Sequence, residues 1–480
     1  MRSRALPPTP KDRMLAFLEE RASLSVIFRA LFQHDVPGFV NPLDYLGEAT
    51  AFVFINQAIT GILLAMFYNA STTPVGNATA AYHSIVVIMT QVPLGWVLRG
   101  LHYWGANAMV VLVFCHMLRV FYVGAYKKPR ELTWILGVML LGVVILFAFT
   151  GYLLPWDQQS YWATMVGTDM PAYLPFIGQW LLELARGGQL LSGVTLTRFY
   201  AIHMLVLPLT LAGLLTAHVA LVFKHGQSTA VEAEERGRRD PKFKKTLVNF
   251  WPNAIAQMSV VMLIVALGLV ALTLLFKAPL LGPAAPLNPS HYKPIPAWYF
   301  YGIYYVIDIV GRTWPGISPI LSPIVIIGLP LIGVTALILV PWIDKSKSAS
   351  PAARPLMISG GLAGVAVMVI LTYLGNGLAS GGVANVVIAH PTFSGNIEPI
   401  FQAQCSLCHS GSNPTAGLNL TSYASIQKLH VVVPHEPEES LLYEKVTGVI
   451  PPQMPLDSTP LPPGAIQTIA NWIKEGAPDN

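Results

Sequence analysis

Apolar residues fill seven stretches of this chain almost without interruption, at roughly residues 46–68, 97–121, 132–154, 198–223, 253–277, 317–341 and 356–375. Each is long enough, at about 20 residues, to carry a helix through the hydrocarbon core of a bilayer. The pattern predicts an all-α polytopic membrane protein with seven transmembrane helices. The sixth stretch holds Pro323 and Pro330, which membrane helices accommodate. Before the first stretch, "KDRMLAFLEERASLSVIFRALF" (11–32) mixes charged and apolar positions and reads as an amphipathic surface helix. After the seventh, "GNGLASGGVAN" (375–385) reads as a linker. The remaining residues show weak periodicity that sharpens in "AIQTIANWIKEGA" (465–477), the C-terminal helix of a small α-helical domain.

Composition agrees with this pattern. The chain is 53% hydrophobic and 11% charged, against about 25% charged in soluble domains. The net charge of +5 lies in the connections, so no nucleic-acid-binding surface is expected. "YKKPRE" (126–131), "EERGRRDPKFKK" (234–245) and "DKSKS" (344–348) follow the second, fourth and sixth stretches, whereas "NASTTPVGNATAAYHS" (69–84), after the first, carries no charge. Basic loops stay in the cytoplasm. The N-terminus is therefore expected inside and everything beyond about residue 376 outside. Residues 1–40 lack a short apolar core behind a basic tip, so no cleavable signal peptide is expected.

Four histidines lie inside the second and fourth stretches, where such residues are costly and usually functional. His102 and His116 are 14 residues apart; His203 and His218 are 15 apart. Four helical turns take about 14 residues, so each pair shares one helix face. One crossing separates the two helices, which therefore run parallel. His102 is expected to face His203 near the outer side, and His116 to face His218 near the inner side. Two imidazoles per site, with no cysteine or carboxylate beside them, suit haem iron. The two irons would stand about 21 Å apart along the axis. A lone membrane histidine more simply bonds to a neighbour; four in phase do not fit that reading. Gly47 and Gly61, and Gly137 and Gly151, repeat the 14-residue step on the first and third stretches. Glycine there would let flat macrocycles press against the helices, although glycine also serves helix packing. Arg99, Arg119 and Arg198 stand three to five residues from the histidines and are candidates for pairing with propionates. Arg119 reads equally well as a positive-inside anchor.

"QAQCSLCHSG" (402–411) contains C-x-x-C-H, the pattern of covalent haem attachment. Cys405 and Cys408 would hold one macrocycle edge and place His409 under the iron. Met454, in "IPPQMPLD" (450–457), is the candidate sixth ligand, of a kind that raises the potential; His430 and His435 are the alternatives. Covalent haem is attached outside the cytoplasm, on the side where the crossing count places this tail. The third cysteine, Cys115, lies in an apolar stretch as a small hydrophobe.

Residues 40–225 resemble cytochrome b of the quinol-oxidising complexes, in "FYVGAYKKPRELTWILGV" (121–138), "TGYLLPWDQQSYWA" (150–163) and "TLTRFYAIHMLVLP" (195–208). They are most similar to the short form of the plastoquinol-oxidising complex, which shares the 15-residue histidine step. Residues 250–375 resemble that family's three-helix second subunit, and the tail resembles a class I monohaem cytochrome c. The resemblance implies a division into a cytoplasmic tail (1–45), a four-helix haem-binding bundle (46–225), a cytoplasmic linker (226–249), a three-helix part (250–375), a second linker (376–390) and a cytochrome c domain (391–480). It implies two non-covalent b haems, a low-potential one on His102 and His203 and a high-potential one on His116 and His218, besides the covalent c haem. It implies quinol oxidation at an outer site between the loops after the third and fifth stretches. One electron would pass to a Rieske iron–sulfur protein and then a cytochrome c. The other would cross the b haems to quinone inside. A homodimer in the bacterial cytoplasmic membrane follows from the same resemblance.

Two departures from the family stand out. "PAWY" (296–299) keeps Pro296, Trp298 and Tyr299 but has Ala297 where the family has a glutamate thought to take a quinol proton. Alanine accepts none. Asp308 is a candidate substitute, though an ordinary acid is the plainer reading, and His291 is a weaker one. Tyr45 stands where the plastoquinol family has a cysteine that tethers an extra haem, so no such haem is expected. Two readings therefore remain. One is the cytochrome b/c core subunit of a quinol–cytochrome c oxidoreductase. The other is an electron-conduit subunit without a Rieske partner, which Ala297 favours. A transporter or haem sensor does not account for the four histidines and the C-x-x-C-H tail.

Overall fold

The computed structural model describes residues 9–22, 35–37, 42–76, 78–226, 247–284, 296–313, 323–379, 387–405, 409, 414–420, 422–455, 460–461 and 463–480. The first described helix, α1 (Pro10–Ala22), covers the beginning of the predicted 11–32 helix; the rest of that stretch lies outside the described residues. Among the described residues, seven helices are long and apolar enough to cross a membrane: α2 (Leu43–Ala65), α4 (Gly95–Tyr122), α5 (Glu131–Tyr152), α8 (Gly193–His225), α9 (Phe250–Leu275), α11 (Pro323–Ile343) and α12 (Pro355–Gly377). They coincide with the seven apolar stretches; residues 317–322 of the sixth lie outside the described residues. Their outward faces are apolar too: Ile59, Leu63, Leu209, Leu263, Leu331 and Val367 are all exposed, as lipid requires.

Helix α2 packs on α4, α5 on α8, and α4 on α5, forming a four-helix bundle flanked by α9 and α11. With lipid outside as apolar as the core inside, close backbone approach holds such helices together. A Cβ on Gly100 would stand 2.4 Å from Thr273, and one on Gly105 2.2 Å from Gln57. After α2, a short hairpin (β2, Pro74–Val75; β3, Ala78–Thr79) leads into α3 (Ala80–Thr90), whose first turn is capped by the Thr79 side chain. Two further helices, α6 (Gln158–Asp169) and α7 (Gly178–Arg186), join α5 to α8. Asp157 starts α6 with a reciprocal Asp157–Ser160 cap, and the Arg186 guanidinium, 2% exposed, ties α7 to Thr168, Met165 and Asp169.

Helix α8 is not uniform. It begins as an α-helix, widens into a π turn over Ile202–Val206, and resumes at Leu207. Pro208 explains the position of this turn, since it offers no N–H to the carbonyl four residues back. Strand β1 (Asp35–Pro37) pairs antiparallel with β4 (Leu247–Asn249), just before α9. A buried cluster ties the end of α4 to the α11–α12 connection. Tyr126 donates to Asp344 Oδ2, Lys127 Nζ lies 2.9 Å from the same oxygen, and Arg354 bonds to Tyr126 and to the carbonyls of Phe121 and Tyr122. Burial alone would raise the Asp344 carboxyl, but the hydrogen bonds from Tyr126, Lys127 and Ser346 outweigh it and pull its pKa down to about 2.

The tail is a small helical domain: α13 (Glu398–Gln404), α14 (Tyr423–Lys428), α15 (Leu441–Thr447) and α16 (Pro463–Lys474). Its core gathers Phe393, Ile397, Phe401, Leu442, Val446, Ile469 and Ile473 around Trp472, which is fully buried and donates to the Pro478 carbonyl.

Candidate functional site

Helices α4 and α8 bring His102 and His203 to face each other, with ring centroids 6.4 Å apart and planes at 72°. Two metal–imidazole bonds of about 2.0–2.1 Å each would fit within that separation. The rings are also held in one tautomer. The Thr60 hydroxyl donates to the Asn56 carbonyl at 2.6 Å and the Thr150 hydroxyl to the Leu146 carbonyl at 2.8 Å. With its hydrogen engaged, each oxygen can only accept from the nearby Nδ1–H, at 2.9 Å for His102 and 3.1 Å for His203. Nε2 of each ring keeps its lone pair for a metal.

All four spaced glycines stand against these rings. A Cβ on Gly61 would meet His102 Cε1 at 3.2 Å, on Gly151 His203 Cε1 at 2.5 Å, on Gly47 His116 Cε1 at 3.1 Å and on Gly137 His218 Cε1 at 3.5 Å. So α2 and α5 form the side walls of two stacked sites, with two histidines and two glycines at each. This donor set, lined by hydrogen-only positions, fits a flat macrocycle whose metal the paired histidine nitrogens would hold. The π turn explains the unequal steps. It begins at Ile202 and takes up one extra residue, so 15 residues on α8 keep phase with 14 on α4.

The three arginines have protein partners. Arg119 pairs with Asp44 at 2.7 Å. Arg198 donates to the Leu184 carbonyl at 2.6 Å. Arg99 is buried and donates to the carbonyls of Ala278 and Pro279 at 2.9 and 2.6 Å. Arg99 thereby holds the connection that follows α9.

That connection is tied to the helix of His102 at further points. Trp104 Nε1 donates to the Phe276 carbonyl at 2.9 Å, and Trp298 Nε1 donates to Asn107 Oδ1 at 2.7 Å. Asn107 Nδ2 in turn bonds to the Tyr103 carbonyl. Beyond the tie, Gly282–Ala284 lies along Trp156–Gln158: Gln158 N donates to Gly282 O at 2.9 Å and Ala284 N to Trp156 O at 3.2 Å. Asp157 accepts from Leu281 N. The loops after α5 and α9 thus meet near His102 and His203. Pro296 is buried, and Ala297 precedes a short turn, Trp298–Phe300, that leads into α10 (Tyr301–Thr313). Burial, and secondarily Tyr103, push the Tyr299 phenol above its ordinary range, so it stays protonated and can donate. Asp308 lies on α10; His291 lies outside the described residues. Tyr45 is buried and donates to Gln257 at 2.7 Å.

In the tail, the His409 ring lies with Nδ1 3.3 Å from the Leu418 carbonyl, which leaves Nε2 for iron. Cys405 packs on the domain core, and Cys408 lies outside the described residues. Met454 is half-buried and its N–H donates to the Lys445 carbonyl. Of the alternatives, His435 is engaged with Lys474 O at 2.9 Å.

Sequence reasoning passed over Thr60, Thr150 and Asn107. The threonines had a signal: each immediately precedes a glycine of the 14-residue pattern, on the two helices that do not carry the histidines.

Comparison with known proteins points the same way. Residues 31–226 match the family described as cytochrome b/b6/petB, residues 283–390 the family cytochrome b (C-terminal)/b6/petD, and residues 405–456 planctomycete cytochrome C. The chain is 34% identical over 329 residues to a cytochrome bc complex cytochrome b subunit of Chlorobaculum thiosulfatiphilum, covering 68% of this chain and 72% of that one. It is 39% identical over 225 residues to the menaquinol:cytochrome c reductase cytochrome b subunit of Bacillus subtilis, covering 45% of this chain and 98% of that one. Among solved structures, a hyperthermophilic respiratory complex III is similar at a TM-score of 0.65 and 29% identity, over 75% of this chain and 91% of that one.

Proposed function

The chain belongs to the cytochrome b family of bc-type quinol–cytochrome c oxidoreductase complexes, and from that premise we propose that it oxidises quinol on the outer side and passes electrons both inward and out to its own tail. The observation that carries this reading is the facing pair His102 and His203, held in one tautomer, with His102 on the helix to which the loop after α9 is tied. His102 with His203, and His116 with His218, would hold two b haems; Cys405, Cys408 and His409, with Met454, would hold one c haem. These groups would supply one-electron transfer between quinol and an acceptor. The chain's own residues do the rest. The Trp298–Asn107 tie positions the 296–299 segment against the helix of His102, while the Arg99 and Trp104 bonds hold the start of the same connection, whose residues 281–284 lie along Trp156–Gln158. Tyr299, kept protonated, donates a hydrogen bond to a quinol oxygen beside that segment. Asp308 is the candidate acceptor of the proton that Ala297 cannot take.

The expected setting is a multi-pass protein of the bacterial cytoplasmic membrane with its tail outside, working as a homodimer with a Rieske protein and a cytochrome c. The divisions at residues 45, 225, 249, 375 and 390 belong to the same reading. The name of the Bacillus relative makes menaquinol the first substrate to try. Ala297 supports a second reading, a conduit without a Rieske partner or bifurcation. Quinol–cytochrome c activity of the purified complex, with and without an outer-site inhibitor, separates the two. A haem-replete complex that lacks inhibitor-sensitive activity would favour the conduit.

A further inference from the structure

The two histidine pairs differ in what stands behind them. At the outer pair, both rings give their Nδ1–H to a buried threonine hydroxyl, Thr60 for His102 and Thr150 for His203. Each threonine directly precedes the glycine that faces the same ring, Gly61 and Gly151. At the inner pair the glycines are Gly47 and Gly137, and the residues before them are Leu46 and Leu136. A leucine side chain accepts nothing. No side-chain hydroxyl bonds to the buried His218 Nδ1 among the described residues. A backbone carbonyl lies by each α8 ring, Phe147 at His203 and Thr133 at His218, so the bonded hydroxyl is what distinguishes them.

We propose that Thr60 and Thr150 are positioning residues that bias the outer site toward oxidised iron, so that electrons entering outside run inward. This rests on the reading that both pairs hold haem iron. An acceptor behind a ligating imidazole makes the ring more electron-rich. A hydroxyl whose own hydrogen is already donated is the stronger acceptor. An electron-rich ring favours the more highly charged ferric ion and lowers the site's potential. The inner site, where no such hydroxyl bond is made among the described residues, keeps the higher potential. The direction of flow is then written in two Thr-Gly and two Leu-Gly pairs.

The test is anaerobic redox potentiometry of the b bands in the purified complex. Thr60→Val and Thr150→Val keep the volume and remove the oxygen. Each is expected to weaken the preference for ferric iron about 3- to 10-fold, the scale of one hydrogen bond. At 59 mV per tenfold for one electron, the lower b midpoint rises by about 30–60 mV and the upper one stays in place. Thr60→Ser, which keeps the hydroxyl, keeps the wild-type midpoint. Leu136→Thr lowers the upper midpoint. An unmoved lower midpoint in both valine variants, or equal movement of both midpoints, overturns the proposal. If a valine variant sheds its haem, the matching serine variant decides: retention at the wild-type midpoint supports the proposal, and loss there too overturns it. A pyridine haemochrome spectrum of the unaltered protein without b haem would instead overturn the reading on which the proposal rests.

Discussion

Adding one methyl group at each of the four glycines tests the geometry of the two sites. Carbon atoms in contact prefer about 3.5–4.0 Å. An alanine Cβ at position 151 would lie 2.5 Å from Cε1, 3.0 Å from Nδ1 and 3.2 Å from Nε2 of His203, an overlap of about 1 Å with the first. The ring cannot swing away freely, because Thr150, one residue earlier, holds its Nδ1. At 47 and 61 the closest approaches are 3.1 and 3.2 Å, so the rings must give by a few tenths of an ångström. At 137 the approach is 3.5 Å, ordinary contact. Overpacking costs about 1–3 kcal/mol, and 1.4 kcal/mol is tenfold. Gly151→Ala is therefore expected to cut occupancy of the outer site about 5- to 150-fold, with Gly47→Ala and Gly61→Ala milder. Gly137→Ala should be silent or slightly stabilising, since alanine favours helix by about 1 kcal/mol. Haem b per chain, from pyridine haemochrome and reduced-minus-oxidised spectra, reads the series. If Gly137→Ala loses as much haem as Gly151→Ala, or Gly151→Ala loses none, the reasoning from ring contact is wrong.

Asn107→Leu and Trp298→Phe each remove one half of the tie between the outer loop and α4. Each is expected to raise the KM for quinol several-fold, by about 1 kcal/mol, and the double variant should be little worse than either; full additivity in steady-state kinetics would mean that the two residues act separately. The Asp344 carboxyl has its folded pKa lowered from 3.8 to about 2, so it contributes stability above pH 4 that is lost as pH falls from about 4 to about 2. Asp344→Asn should cost on the order of 2 kcal/mol at neutral pH, read as a lower thermal midpoint in detergent whose gap to wild type narrows on acidification. Trp472→Ala empties the centre of the tail domain at a cost of about 3–5 kcal/mol. Haem staining should then lose the covalent haem while the b bands survive, and loss of both would contradict an independent core for the tail.

The spans were legible because lipid demands unbroken apolar runs, and the seven helices fall where those runs predict them. The histidine pairs were legible because a helix converts a spacing of about 14 residues into a shared face. What spacing cannot show is the chain returning from far away. Arg99 lies three residues from His102, which makes it a candidate for propionates. Its structural partners, Ala278 and Pro279, are some 180 residues along and carry no mark in sequence, because a backbone carbonyl belongs to every residue. Asn107 was passed over for the same reason, since Trp298 reaches it across 191 residues. The tautomer-fixing threonines required knowing that each hydroxyl's hydrogen was already bound to the preceding turn.

The π turn in α8 has a consequence for how such chains can change length. Between the two ligands, α4 and α8 work like two rulers with different graduations that must agree at both ends. A residue gained or lost elsewhere between His203 and His218 would rotate the lower ligand by about 100° and shift it about 1.5 Å, away from its opposite number. Inside Ile202–Val206 the same event only narrows or widens one turn. The five residues there are the place where a change of one residue can be taken up without parting the two histidine pairs.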